Sequence, residues 1–306
     1  MTQTVRISDV VKDYGRVKAV QTASFELAQG ELVALIGHNG AGKTTLMKLM
    51  LGLIRPTSGS VEVLGDNPAA GEFAGRRQLG YLPENVSFDT ALTGRETLAF
   101  YARLKREPVA GALTLLDAVG LGDASRRRVS TYSKGMRQRL GLAQALIGRP
   151  RVLLLDEPTT GLDPELRQTF YEIVQRLAAD GTTVLLSSHA LTELEERAGR
   201  VIIMNRGVKV ADGSIERLRN IACLPTKIRL KIAGLSPGEL PSWLPASAPC
   251  RRLNGHFVEI DAEPDRKIEL LHSVTASGTA VEDLDVIPPT LDELYAHFLR
   301  QAERTP

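Results

Sequence analysis

The hydrophobic pattern opens with two β-like stretches, Val5 to Val10 and Ala19 to Leu27. Glu31-Leu32-Val33-Ala34-Leu35-Ile36 then reads as a buried strand, and Lys43 to Leu51 carries apolar side chains at helical spacing. Val61-Glu62-Val63-Leu64 followed by Gly65 reads as a strand and a turn. From about Leu92 to Ile147 the period is helical, with Leu98, Tyr101, Ala102 and Leu104 at compatible spacing. The runs Val152-Leu153-Leu154-Leu155 and Thr183-Val184-Leu185-Leu186 predict short strands buried on both faces. Between them Pro164 opens a helix at a favoured position, with Leu166, Phe170, Ile173, Val174 and Leu177 on one face. Val201 to Met204 and Val208 to Ala211 pair as a hairpin across Asn205-Arg206-Gly207. This alternation predicts an α/β fold with a mostly parallel sheet and a helical insert at about 92–147.

The pattern changes near Asn220. Lys227-Ile228-Arg229-Leu230-Lys231-Ile232 alternates strictly, as a strand with one wet face does. His256 to Ile260 and Val281 to Val286 are further strand candidates, and Pro264 to Thr275 suits a helix with Gly278 past its end. Thr290-Leu291-Asp292-Glu293 has the form of a capping box before a final helix holding Leu294, Phe298 and Leu299. The expected organisation is one large domain, residues 1–220, and a small α+β domain, residues 221–306.

A chain of 306 residues has room for both. Charged residues at 24% and apolar residues at 43% describe an ordinary globular chain, and a net charge of +2 gives no argument for nucleic acid as a partner. No apolar run is long enough to span a bilayer, and Met1-Thr2-Gln3-Thr4 begins no signal peptide, so a cytoplasmic location is expected. Cys223 and Cys250 make no disulfide framework. The cysteines, His256, His272 and the scattered methionines form no soft-ligand cluster, so this chain is not expected to carry copper. Arg126-Arg127-Arg128 reads as a solvated charge run.

The chemistry begins at Gly37-His38-Asn39-Gly40-Ala41-Gly42-Lys43-Thr44-Thr45, which has the form G-x-x-x-x-G-K-T between strand and helix. Its glycines let backbone N–H groups close around phosphates, and the positive end of the helix faces the same anion. Lys43 can reach the outer phosphates, and the Thr44 hydroxyl can complete a Mg²⁺ shell. Asp156 and Glu157 stand at the C-terminal end of a buried strand, where open α/β sheets bind ligands. Asp156 suits Mg²⁺ beside Thr44, and Glu157 suits a base for the attacking water. His189 ends the next buried strand and can reach the γ-phosphate. Ser133, in Thr131-Tyr132-Ser133-Lys134-Gly135-Met136, caps an amphipathic helix, whose free N-terminus is a second phosphate-binding device.

Together these residues resemble the ATP-binding cassette family over about residues 1–220. The resemblance implies a P-loop NTPase cassette with antiparallel β and helical subdomains, hydrolysing ATP with Mg²⁺. It also implies that Tyr14 stacks on adenine, Glu84 takes the lid position as a Mg²⁺ ligand, Ser133 and Gly135 form the signature, and Asp163 lies in the dimer loop Gly161-Leu162-Asp163-Pro164. His189 is then the switch histidine. Two departures stand out. The lid position usually carries Gln rather than Glu84, and the signature is usually Leu-Ser-Gly-Gly-Gln rather than Tyr132-Ser133-Lys134-Gly135-Met136. In this family two cassettes pair head to tail, so a second copy is an implied partner, with a polytopic membrane permease whose loop sits in a groove beside Glu84 and the helix Glu96 to Leu104. Phe100 and Tyr101 are candidate groove contacts.

Three stretches are similar to the NosF-type ATPases that serve maturation of the copper–sulfur centre of nitrous oxide reductase. They are Gly37 to Thr45, Leu79-Gly80-Tyr81-Leu82-Pro83-Glu84-Asn85-Val86-Ser87-Phe88, and Thr131 to Leu146, with Pro289 to Tyr295 also alike. That resemblance implies a location at the cytoplasmic face of the bacterial inner membrane and a periplasmic partner reached through the permease. The alternative is an exporter ATPase for a lipid-like or drug-like substrate. The small rear domain is expected to add homodimer contact.

Overall fold

The computed structural model describes residues 2–70, 74–232, 250–254, 257–276 and 281–304, and the chain divides into Met1–Ser214 and Ile215–Pro306. In the front unit β1 (Gln3–Asp13) pairs antiparallel with β2 (Lys18–Ala28). Strand β3 (Leu32–Ile36), buried along its whole length, leads through a glycine-rich loop into α1 (Lys43–Met50). Strand β4 (Ser58–Val63) returns to pair with β1. After β5 (Leu79–Leu82) comes the helical insert: α2 (Gly94–Lys105), α3 (Val109–Ala118) and α4 (Lys134–Ala145). The chain then alternates β6 (Val152–Asp156), α5 (Pro164–Ala179), β7 (Thr183–Ser188) and the short α6 (Leu191–Glu195), and closes with the hairpin β8 (Arg200–Asn205) and β9 (Val208–Gly213).

Among the described residues these strands make a nine-stranded sheet in the order β4-β1-β2-β9-β8-β3-β7-β6-β5. The stretch from β8 to β5 is parallel, and β3, β6 and β7 are buried along their whole length with apolar runs in each, as parallel strands covered on both faces are. Leu46, Met47, Leu49 and Met50 of α1 share one core with Val5, Ile7 and Phe25 of the antiparallel strands and with Leu35, Leu154, Leu185 and Ile202 of the parallel ones. Burial on this scale, at roughly 25 cal/mol per Å² of apolar surface, is the main force fixing α1 and the loop before it. Thr93 caps α2 with a reciprocal capping box to Glu96. At the other end of α2, the Lys105 ammonium donates to the carbonyls of Leu79 (3.0 Å) and Ile147 (2.9 Å), which ties the insert to the sheet edge.

The rear unit holds α7 (Ile215–Ala222), β10 (Thr226–Ile232), β11 (Cys250–Asn254), β12 (Phe257–Ala262), α8 (Lys267–Ala276), β13 (Val281–Ile287) and α9 (Leu291–Arg304). Its sheet is antiparallel in the order β11-β12-β10-β13. The alternation in β10 sends Ile228, Leu230 and Ile232 into a core with Val258, Ile260, Leu270 and Val274. On the other face Arg229 and Arg251 are the cross-strand partners of the buried Glu259 carboxylate and both hydrogen-bond it. Thr290 and Glu293 form the expected box at the start of α9.

The units join at Ser214/Ile215, six residues before the expected Asn220, so α7 belongs to the rear unit. Only Ser214 separates β9 from α7, and no composition shift marks it. The expected helix from Pro264 begins at Lys267. His256 and Gly278 lie outside the described residues.

Candidate active site

The parallel strands end side by side. Ile36 of β3 is in register with Ser188 of β7, and Asp156 of β6 with Ser187, so the loop after β3, the carboxylates after β6 and His189 after β7 open on one edge. That edge holds a cleft of about 630 Å³, lined by the whole run from His38 to Thr45 and by Glu84, Asp156, Glu157, Thr160 and His189.

The loop's backbone needs its glycines. Gly40 and Gly42 have φ of 83° and 102°, and a Cβ on Gly42 would stand 2.5 Å from the Ala19 carbonyl oxygen. Gly37 is packed as tightly, with the Met204 carbonyl 2.6 Å from where its Cβ would be. Gly42 is the N-cap of α1, so free helix N–H groups and the positive end of the helix dipole face the cleft. The buried Lys43 ammonium donates to the Gly37 carbonyl at 2.6 Å and stands 3.7 Å from Glu157 Oε1.

The carboxylates are individually held. Thr44 Oγ1 donates to Asp156 Oδ2 at 2.7 Å, and Ser187 Oγ donates to Asp156 Oδ1 at 2.6 Å. The same Ser187 oxygen accepts the Glu157 N–H at 2.9 Å. Glu157 sits at φ 46°, a costly conformation for a non-glycine residue, and is buried. Its Oε2 meets Nδ1 of the exposed His189 at 2.7 Å. Nearby Tyr81 has its hydroxyl pushed up to about 12, by burial first and then by the charges of Asp156 and Glu84.

Ser133, Gly135, Asp163 and Tyr14 are not among the residues lining this cleft. Ser133 caps α4, accepting from Met136 N at 3.2 Å, and Asp163 caps α5, accepting from Leu166 N at 2.9 Å. Tyr14 is half exposed in the β1–β2 turn with the Lys12 ammonium 4.9 Å from its ring centroid, while Val17 and Ala19 of the same hairpin reach the cleft. Sequence reasoning missed Ser187, whose only signal was its place in the Ser187-Ser188 pair at the C-terminal end of a buried strand. It also missed Val17, Ala19 and Thr160.

The glycine-rich loop between β3 and α1, the buried lysine and the strand-end carboxylates define a P-loop nucleoside triphosphatase. The chain matches the ABC transporter family over residues 20–160. It is 34% identical over 307 residues to the daunorubicin resistance ATP-binding protein DrrA3 of Streptomyces coeruleorubidus, covering 96% of this chain and 95% of that one. It is 33% identical over 300 residues to the Nod factor export ATP-binding protein I of Rhizobium meliloti (strain 1021), covering 96% and 87%. A solved ATP-binding subunit of an ABC transporter superposes with a TM-score of 0.67 at 30% identity, covering 71% of this chain and 92% of that one. A nucleotide-free ATP-binding cassette superposes at 0.64 and 23% identity, covering 72% and 95%, and shares the fold. The chain belongs to the ATP-binding subunits of ABC transporters. It binds and hydrolyses ATP, and subunits of this family generally work as dimers with membrane permease partners. Among the described residues no helix is long and apolar enough to cross a membrane.

Proposed function

We propose that this chain is the ATP-hydrolysing motor of an export complex, with Glu157 as the base and His189 as the residue that orients it. The observation that carries the reading is the Glu157 carboxylate, buried and bonded to His189 at 2.7 Å. A water held there would lose its proton toward Glu157 as its oxygen attacks the γ-phosphorus, the bond to the β-phosphate oxygen breaks, and ADP and phosphate result. Lys43 and the N–H groups of the loop would bind the phosphates, and the hairpin bearing Tyr14, Val17 and Ala19 would cover the base.

Thr44 and Asp156 present hard oxygens 2.7 Å apart, with Glu84 on the same cleft wall, a donor set that fits Mg²⁺. When bound, Mg²⁺ would neutralise charge building on the phosphate oxygens.

In this reading Ser133, Gly135 and Asp163 act on the ATP of a second copy. A permease loop would dock beside Glu84 and α2, where Phe100 and Leu104 are 54% and 68% exposed while Tyr101 packs edge-to-face on Phe88. The subunit would lie at the cytoplasmic face of the inner membrane. The near full-length relatives named for drug resistance and export favour a lipid-like or drug-like cargo. The three NosF-like stretches, including Leu79 to Phe88 around Glu84, favour a second reading, maturation of the copper–sulfur centre of nitrous oxide reductase with a periplasmic partner.

The chemistry is tested by phosphate release from Glu157→Gln. Turnover falls by about 10²–10⁴-fold with ATP binding retained, and turnover that survives sinks the assignment of the base. The cargo is tested in a host lacking the gene. Fully active, copper-loaded reductase there, with lost tolerance to amphiphilic drugs, supports export. Inactive reductase restored only by the wild-type gene supports maturation.

A further inference from the structure

Arg167, on the first turns of α5, reaches in two directions. Its Nε donates to the Leu162 carbonyl at 2.9 Å, and its Nη1 donates to Glu193 Oε1 at 2.6 Å. Leu162 belongs to the loop 157–163 that begins at Glu157, and Glu193 lies on α6, four residues beyond His189. One planar guanidinium therefore spans the segments that carry the two residues of the Glu157–His189 contact.

These segments need fixing. Helix α6 has five residues and no side-chain cap, too short to be stable unaided. The His189 side chain is 70% exposed, so packing does not set its ring, and its aim at Glu157 depends on where the backbone is held. A second contact runs parallel to the first: Arg197, just past α6, stands 4.7 Å from the ring centroid of Tyr171 on α5. Burial and then the charge of Glu193 push the Tyr171 hydroxyl up to about 12, so it stays neutral beside that carboxylate. Beside Leu162 the loop also packs on the aliphatic chain of Lys134, whose Cδ would meet a Cβ on Gly161 at 2.9 Å.

We propose that Arg167 and Glu193 form a strut that positions His189 against Glu157, and so sets the hydrolysis rate without touching nucleotide. The proposal rests on the roles given above to Glu157 and His189. Its rival is that burial of Leu191 and Leu194 alone fixes α6, leaving the ion pair as surface decoration.

The test uses the full-length chain carrying Arg167→Met, Glu193→Gln, both together, and each in a His189→Ala background. The readouts are kcat, KM for ATP, affinity and stoichiometry for a non-hydrolysable ATP analogue, and the unfolding midpoint. Each single substitution lowers kcat by about 10- to 100-fold, the effect of a small misplacement of a reacting group. Analogue affinity and stoichiometry stay within about twofold, the double variant is no slower than the slower single, and the losses vanish in the His189→Ala background. Singles with wild-type kcat, losses that add in full, losses that persist without His189, or a fall in kcat matched by a fall in analogue stoichiometry would each overturn the strut. Glu157→Gln run in parallel reports on the base alone, so turnover surviving there overturns the role of Glu157 while the comparison of single and double variants still decides whether Arg167 and Glu193 act as a unit.

Discussion

Gly42 carries two constraints at once. Its φ of 102° is open to glycine and strained for any other residue, and an added Cβ would collide with the Ala19 carbonyl, which belongs to a paired strand and cannot swing away. Gly42→Ala should therefore cost about 1–3 kcal/mol of stability and displace the N-terminus of α1, with it Lys43 and Thr44. Denaturant unfolding and ATP-binding isotherms check both; an alanine variant with wild-type stability and affinity would mean that this backbone is not strained. Gly40, with positive φ but nothing within 4 Å of its Cβ, should tolerate alanine better. The loop, Lys43, Thr44 and the pair Asp156–Glu157 were legible because each depends on spacing within a few residues. Ser187 was not. It gains its role only when β6 and β7 lie side by side with Asp156 opposite Ser187, which is a fact of pairing rather than of local sequence.

At the scale of elements, segments with a strong local hydrophobic pattern read correctly and those defined by their pairing partners did not. The buried runs of β3, β6 and β7 and the amphipathic α5 announce themselves. Strand β11, with Cys250-Arg251-Arg252-Leu253-Asn254, has no apolar alternation to reveal it and exists as an edge partner of β12. Glu259 explains part of why β11 stays. Burial alone would push its carboxyl up, but the hydrogen bonds from Arg251 and Arg229 outweigh that and hold it below the ordinary value of 4.5. Glu293 is likewise held down, where burial is outweighed by Lys227 and the Thr290 box. A depressed folded value means stability that is present above about pH 4.5 and lost as pH falls through the lower folded value. Amide protection along β10 and β12, taken relative to the intrinsic exchange rate at each pH, should therefore fall in acid. Glu259→Gln should lower stability at pH 7 by about 2 kcal/mol and flatten this acid dependence. An unchanged acid profile in the variant would refute the role given to Glu259.

The whole molecule poses a question its parts leave open. Lys43 and Glu157 line the cleft, whereas Ser133 and Gly135 open α4, a helix that does not line it, although both belong to the same unit. Ser133 has a local duty as a cap, and Gly135 is packed 3.4 Å from Leu162 measured from its would-be Cβ, yet neither fact requires the exposed Ser133–Lys134 turn at a helix N-terminus, the kind of position that binds anions. If that turn serves nucleotide, the nucleotide belongs to another copy, and isologous pairing gives two such composite sites. Two defective chains should then rescue each other. Lys43→Ala removes phosphate binding in the cleft, Ser133→Arg blocks the helix N-terminus, and each homodimer is inactive. A mixed dimer has one site with Lys43 from the second variant facing Ser133 from the first, and both are intact. An equimolar mixture is half heterodimer with one working site in two, so turnover should return to about a quarter of wild type if the sites act independently. Recovery that rises and falls with the fraction of mixed dimer would establish the shared site. A mixture as inactive as its two components would mean that Ser133 does not act on a partner's ATP, and that its contribution ends with capping α4.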